Sequence, residues 1–268
     1  MIVADTAPRW IELDGAVNAR DLGGIPLARG GTTVPGRLLR SDNLQDLSAA
    51  DVAHLVGERS LTAVIDLRTD VELNLEGPSP MSEEPRVVVE HRSLYPEYGE
   101  RTDLEVDTVV PWQRGLGGSD RPGESPTVQT YMGYLEHRPD SIIGALRTIA
   151  APPGGGAALV HCAAGKDRTG LVVAMALEVA GARREAVVGD YVATAQRIEA
   201  IIARLASTPT YAGDITRHDP ARHAPRPETM FRILQLLDEG HGGTSGWLRE
   251  HGMQDAELEA LGVKLTAA

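Results

Sequence analysis

AALVHCAAGKDRTGLVVAMAL, residues 157–177, runs from an apolar stretch through a loop of small residues into a second apolar stretch. The first part, AALVH at 157–161, reads as a buried β-strand. The last, LVVAMALEVAG at 171–181, is apolar on every side and ends on glycine, the pattern of a buried helix with a glycine C-cap. A turn from strand into helix gathers unpaired backbone N–H groups at one point and adds the positive end of the helix dipole. An anion is its natural occupant. Ala163, Ala164 and Gly165 carry almost no side chain, so the backbone can curl closely around a tetrahedral oxyanion. Arg168 offers a planar fork matched to two of its oxygens, and Lys166 a further positive charge. Cys162 lies at the base of this cradle, where the same N–H groups and dipole favour a thiolate over a thiol. Thr169 is placed to hydrogen-bond the sulfur, and His161 to orient the strand end beneath it.

The composition makes that cluster conspicuous. Cys162 is the only cysteine among 268 residues, and Lys166 is one of two lysines against 24 arginines. A single cysteine excludes an intramolecular disulfide and a multi-cysteine zinc site. A net charge of −12 opposes general attraction to nucleic acid or an anionic membrane, so phosphate binding has to be local. The start, MIVADTAPRWIELDG, lacks a basic, apolar leader, and no apolar run approaches the length of a membrane span. These features read as a cytoplasmic protein, with export lacking a signal left open.

Further out, LTAVIDL at 61–67 has the pattern of a strand buried on both faces, and VVVEHRSL at 87–94 reads as another strand. Alternation at Trp10–Leu13 and the run at 36–40 predict two more. Ser48 and Asp51 form a capping-box variant ahead of a short helix. Residues 96–126 read as a long loop, and helical periodicity covers 128–149 with an interruption at Pro139. Amphipathic helices are expected over 183–205 and 227–238, then two short C-terminal ones. Alternating strands and helices predict an α/β fold, a mostly parallel central sheet flanked by helices, within one domain spanning 1–268.

Other phosphate loops fail on spacing. A Walker A motif needs glycine at 160 and Ser or Thr at 167, where Val160 and Asp167 stand, and neither Gly115-Leu116-Gly117 nor 154–156 completes a dinucleotide fingerprint. His218, His223, His241 and His251 lie at spacings that put no pair on one helix face, so they read as scattered surface histidines and no metal site is expected. Tyr131, Tyr134, Tyr191 and Trp112 fit either core packing or stacking on an aromatic substrate.

HCAAGKDRTG, His-Cys, five residues, then Arg-Thr-Gly, resembles the signature of the cysteine-dependent protein tyrosine phosphatase superfamily. Lys166 and Asp167 narrow the likeness to its bacterial dual- or triple-specificity branch. NARDLGG at 18–24, LLRSDNL at 38–44, IDLRTDVE at 65–72 and Asp190-Tyr191 extend it over nearly the whole chain. The resemblance implies a tyrosine phosphatase-like fold with lid helices within 183–238. It implies hydrolysis of phosphomonoesters without metal or cofactor, through a phosphocysteine on Cys162. Arg168 and the backbone of 163–168 then hold the phosphoryl oxygens, the substrate is a phosphorylated protein or a phosphoinositide, and inorganic phosphate is the anion left in the loop. Relatives with aspartate between glycine and arginine point to Asp167 as general acid. Asp66, at the end of LTAVIDL, is a second candidate, though Asp66 and Arg68 also suit a buried ion pair; Asp103, Asp107 and Asp120 come third. Asp167 could equally balance Lys166 or Arg168. Asp21, Arg40 and Asp42 are expected to organise the surrounding loops. Sulfur-transfer chemistry does not call for Arg-Thr-Gly, thiol reductases need a second cysteine, and a binding module without turnover does not need the intact Cys162, Arg168 and Thr169.

Overall fold

A computed structural model describes residues 8–95, 118–212 and 223–267. Six strands form one sheet: β1 (Arg9–Trp10), β2 (Arg20–Asp21), β3 (Leu38–Ser41), β4 (Leu61–Asp66), β5 (Val88–His91) and β6 (Ala157–His161), in the order β1-β2-β3-β6-β4-β5. The four strands from β3 to β5 run parallel, while β1 and β2 add an antiparallel edge. Alternation along the strands sorts two cores. Leu38, Ala63, Ile65, Ala158 and Val160 face one, and Leu39, Leu61, Val64, Ala157 and Leu159 the other.

Ten α-helices are present among the described residues: α1 (Ala49–Ala53), α2 (Asp70–Glu76), α3 (Pro126–His137), α4 (Pro139–Ala150), α5 (Asp167–Val179), α6 (Arg184–Ala193), α7 (Ile198–Leu205), α8 (Pro227–His241), α9 (Thr244–Glu250) and α10 (Asp255–Thr266). None is long and apolar enough to cross a membrane. The larger core takes α3 to α6 and α8 to α10, and the smaller one is closed by the segment around α1.

Where the boundaries differ from the sequence pattern, a specific contact decides. The strand at Trp10 stops early because the Asp51 carboxylate takes the N–H groups of Asp14 and Gly15, turning the chain. Pro139 divides the expected 128–149 helix, serving as the first residue of α4. The expected 183–205 helix breaks at a short tight turn, Thr194–Arg197, where Arg20 bonds both Thr194 Oγ1 and the Asp190 carbonyl. That carbonyl is the one an unbroken helix offers to the Thr194 N–H. Helix α5 ends as the apolar run predicts, with Gly181 at φ +79° and a double-bonded C-terminal turn onto Glu178 and Leu177. It begins four residues before that run, however, so Asp167, Arg168 and Thr169 occupy its first turn.

Candidate active site

Strand β6 lies between β3 and β4 with His161 level with Ser41 and Asp66, so Cys162 emerges at the C-terminal edge of the parallel strands, where open α/β sheets bind ligands. The carbonyls of the following loop are tied into the scaffold. The Asn43 N–H donates to Ala163 O (2.9 Å), Asn18 Nδ2 to Ala164 O (3.0 Å), and Arg40 Nη2 to Gly165 O (2.6 Å). In a trans peptide the N–H points opposite to its carbonyl, so these ties turn the N–H groups of 164–166 inward. Gly165 makes the turn possible. Its φ is +63°, and a Cβ there would stand 2.3 Å from the Ser41 carbonyl oxygen, so no other residue fits.

Cys162 is 2% exposed, unpaired with any other cysteine, and forms the floor of a cavity of about 350 Å³. Thr169 Oγ1 donates to its Sγ at 3.2 Å. Both terminal nitrogens of Arg168 donate to Glu72, at 2.6 and 2.9 Å, and Nη1 also reaches Leu67 O. Glu72 is itself fixed as the third residue of α2, accepting the Thr69 N–H at 2.7 Å, and Tyr211 donates to it from the far side of the cavity. Burial pushes the Glu72 carboxyl up, but Arg168 and these donors hold it below the usual carboxylate range. An ionised Glu72 thus fixes the guanidinium plane beside the thiol.

Of the acid candidates, Asp167 lines the cavity. Its side chain is 34% exposed, Oδ1 accepts from Tyr131 at 2.9 Å, and Lys166 Nζ stands 3.5 Å from Oδ2. Lys166 also lines the cavity and donates to His223 O at 2.7 Å. Asp66 does not reach it. Both Asp66 oxygens bond Arg68, at 3.0 and 2.7 Å, with His161 Nε2 at 3.5 Å. Burial raises the Asp66 carboxyl, but His161 and Arg68 more than offset this and hold it well below the ordinary range. Asp66 thus stands as an ion-pair partner of Arg68 outside the cavity lining. Asp120 is exposed and away from the cavity, and Asp103 and Asp107 lie outside the described residues.

Beneath the loop, Asp190 joins Arg20 and Arg40. Burial would raise its carboxyl, and the two guanidiniums hold it down instead. Asp42 accepts the N–H groups of Val17 and Asn18 and pairs with Arg204 of α7, which ties the cavity wall to the strand ends. Asp21 differs from expectation: it bonds the N–H groups of Gly23 and Gly36, and no hydrogen bond among the described residues joins it to the 162–168 loop, so it shapes a turn there. His161 Nδ1 faces the Cys162 carbonyl at 3.3 Å, not its sulfur. Tyr131 and Tyr191 are buried, Tyr134 and Tyr95 line the cavity, and Trp112 and His218 lie outside the described residues. His241 bonds Glu250, and His251 stacks on Trp247 at 4.2 Å.

Asn18 and Glu72 lie in NARDLGG and IDLRTDVE, stretches that carry the resemblance, but the sequence gives neither a role in the site, nor one to Tyr211. Thr69-Asp70-Val71-Glu72 reads as a capping box, a pattern that accounts for Glu72 without Arg168, and only the fold shows that its oxygens serve both. Nothing local in the sequence marks Tyr211.

Comparison with known proteins accords with this geometry. A model of the tyrosine phosphatase family matches residues 11–267. The chain is similar to a triple specificity protein phosphatase, PtpB, of Mycobacterium tuberculosis, with 28% identity over 93% of this chain and 96% of that one. It is similar also to a tyrosine-protein phosphatase of Nostoc commune, with 26% identity over 82% of this chain and 73% of that one. The cysteine at the end of a central parallel strand, the arginine of the next helix turn and the family match over nearly its whole length agree: this chain belongs to the tyrosine phosphatase family.

Proposed function

We propose that Cys162 is the nucleophile of a two-step, metal-independent hydrolysis of phosphomonoesters. The observation that carries the reading is the Cys162 sulfur on the cavity floor, bonded by Thr169 and flanked by an arginine clamped to an ionised Glu72. In the first step a sulfur–phosphorus bond forms and the phosphorus–oxygen bond to the leaving group breaks, while Asp167 gives its proton to the departing oxygen. In the second, water attacks phosphorus, the sulfur–phosphorus bond breaks, and Asp167 takes the water's proton. Arg168 and the inward N–H groups hold the three phosphoryl oxygens as charge shifts onto them. The Thr169 hydroxyl stabilises the thiolate before and after.

Tyr95 and Tyr134 on one side and Ile198, Ile201, Ile202 and Leu205 of α7 on the other give the cavity walls that suit an aromatic ring. Phosphotyrosine in proteins is therefore the leading substrate. Phosphoserine, phosphothreonine and phosphoinositides are further classes, and the name of the mycobacterial relative favours a broad range. Helix α7 serves as a lid within one phosphatase domain. A thiol that must stay reduced favours the cytoplasm.

Hydrolysis of p-nitrophenyl phosphate should be unchanged by EDTA; a rate that falls with chelation and returns with added metal contradicts the mechanism. For Asp167→Asn the expected loss is about 10²-fold on phenyl phosphate, a poor leaving group, and less than about threefold on p-nitrophenyl phosphate. Equal losses on both would remove Asp167 as the acid.

A further inference from the structure

Asp167 has two carboxylate oxygens, and their surroundings differ. Oδ1 accepts from the Tyr131 hydroxyl at 2.9 Å, whereas Oδ2 faces Lys166 at 3.5 Å. Tyr131 is wholly buried, projecting from α3 toward the first turn of α5. Its hydroxyl lies 3.0 Å from that of Tyr191 on α6, whose ring stands edge-on to it. Each phenol has a single proton. Tyr131 stands within donor reach of both Oδ1 and the Tyr191 oxygen, and its one proton goes to the carboxyl oxygen, the stronger acceptor.

The position of Tyr191 is itself built in. A Cβ on Gly170 would stand 2.9 Å from Tyr191 Cδ2, so the glycine that ends the Arg-Thr-Gly motif makes room for this ring. A short chain of contacts, Gly170 to Tyr191 to Tyr131 to Asp167, thus runs from the helix backbone to the carboxylate. Burial, with Asp167 as a second cause, pushes the Tyr131 phenol well above its ordinary value, so it remains a donor at any working pH.

We propose that Tyr131 is a positioning residue: its hydroxyl reserves Oδ1 of Asp167 as an acceptor and leaves Oδ2 as the atom that carries the proton to the leaving oxygen. The proposal rests on Asp167 being the general acid. A half-exposed aspartate at a helix start has more than one rotamer open to it, and the buried phenol selects the one with Oδ2 toward the cavity. A buried hydrogen bond to a charged group is the right size for such control.

The test compares kcat and KM of wild type, Tyr131→Phe, Asp167→Asn and the double variant on phenyl phosphate and p-nitrophenyl phosphate. Phenylalanine keeps the ring and its packing. Expected for Tyr131→Phe is a loss of about tenfold in kcat on phenyl phosphate, less than about twofold on p-nitrophenyl phosphate, an unchanged KM, and no further loss when added to Asp167→Asn. A loss of equal size on both substrates, or a loss that multiplies with that of Asp167→Asn, overturns the proposal. So does wild-type behaviour. If Asp167→Asn itself shows no dependence on leaving group, it is the acid assignment that has failed, which the single variant reveals independently of Tyr131. Should Tyr131→Phe not fold, Tyr191→Phe removes the second hydroxyl that holds Tyr131 without touching Asp167. It should show the same selectivity at smaller size, and its absence there overturns the proposal.

Discussion

Replacing Cys162 by serine is expected to lower kcat/KM on a phosphotyrosine peptide by at least about 10⁴-fold while leaving peptide affinity nearly intact. In the proposed mechanism the phosphoryl oxygens are held by loop backbone and Arg168, neither of which the substitution touches. What disappears is the nucleophile. A serine hydroxyl is not ionised near neutral pH, and an Asp167 that must enter the first step protonated cannot take its proton. The imidazole of His161 faces the Cys162 carbonyl and not the side chain at 162. Binding of the peptide to Cys162→Ser, followed by calorimetry, should therefore persist where turnover is lost. Residual activity above about one hundredth of wild type would mean that another group attacks phosphorus.

Arg168→Lys is expected to cost about 10²–10³-fold in kcat/KM, a loss of the size that follows removal of a preorganised donor from a developing oxyanion. Lysine keeps the charge and loses the fork. In the proposed mechanism that guanidinium has two tasks, since its terminal nitrogens bond Glu72 and it must also hold phosphoryl oxygens of the substrate. One ammonium cannot satisfy the two buried Glu72 oxygens and bridge two phosphoryl oxygens as well. The variant should also melt at a lower temperature, because Glu72 is fully buried and loses part of its compensation. Steady-state rates beside a thermal melt separate the two effects. Near-full activity with a lowered melting point would assign Arg168 to the scaffold alone.

Much of this site could be read from residues 157–177, because a strand, a turn of small residues and a helix start form one continuous piece of chain and bring their chemistry with them. The parallel sheet around it followed from β-branched runs at 61–67 and 87–94, and the C-terminal turn of α5 from Gly181. Long-range contacts set what remained hidden. The start of α5 at Asp167 depends on loop carbonyls tied down by Asn18, Arg40 and Asn43, all more than a hundred residues away in sequence. The break between α6 and α7 depends on Arg20. Glu72 and Asp66 are both acidic residues in IDLRTDVE, yet only the fold tells them apart, placing one against Arg168 and the other against Arg68. Tyr131 and Tyr134 illustrate the same limit: three residues apart on one helix, one turns to Asp167 and the other to the Tyr95 hydroxyl.

The central claim is a covalent phosphoryl group on Cys162, and it can be trapped. Wild type and Asp167→Asn would be mixed with a phosphotyrosine peptide, quenched in acid within the first turnovers, digested, and sequenced by mass spectrometry. One phosphoryl group is expected on the peptide that carries Cys162. Turnover with Cys162 unmodified at every quench time, or with the phosphoryl group on a different residue, would contradict it.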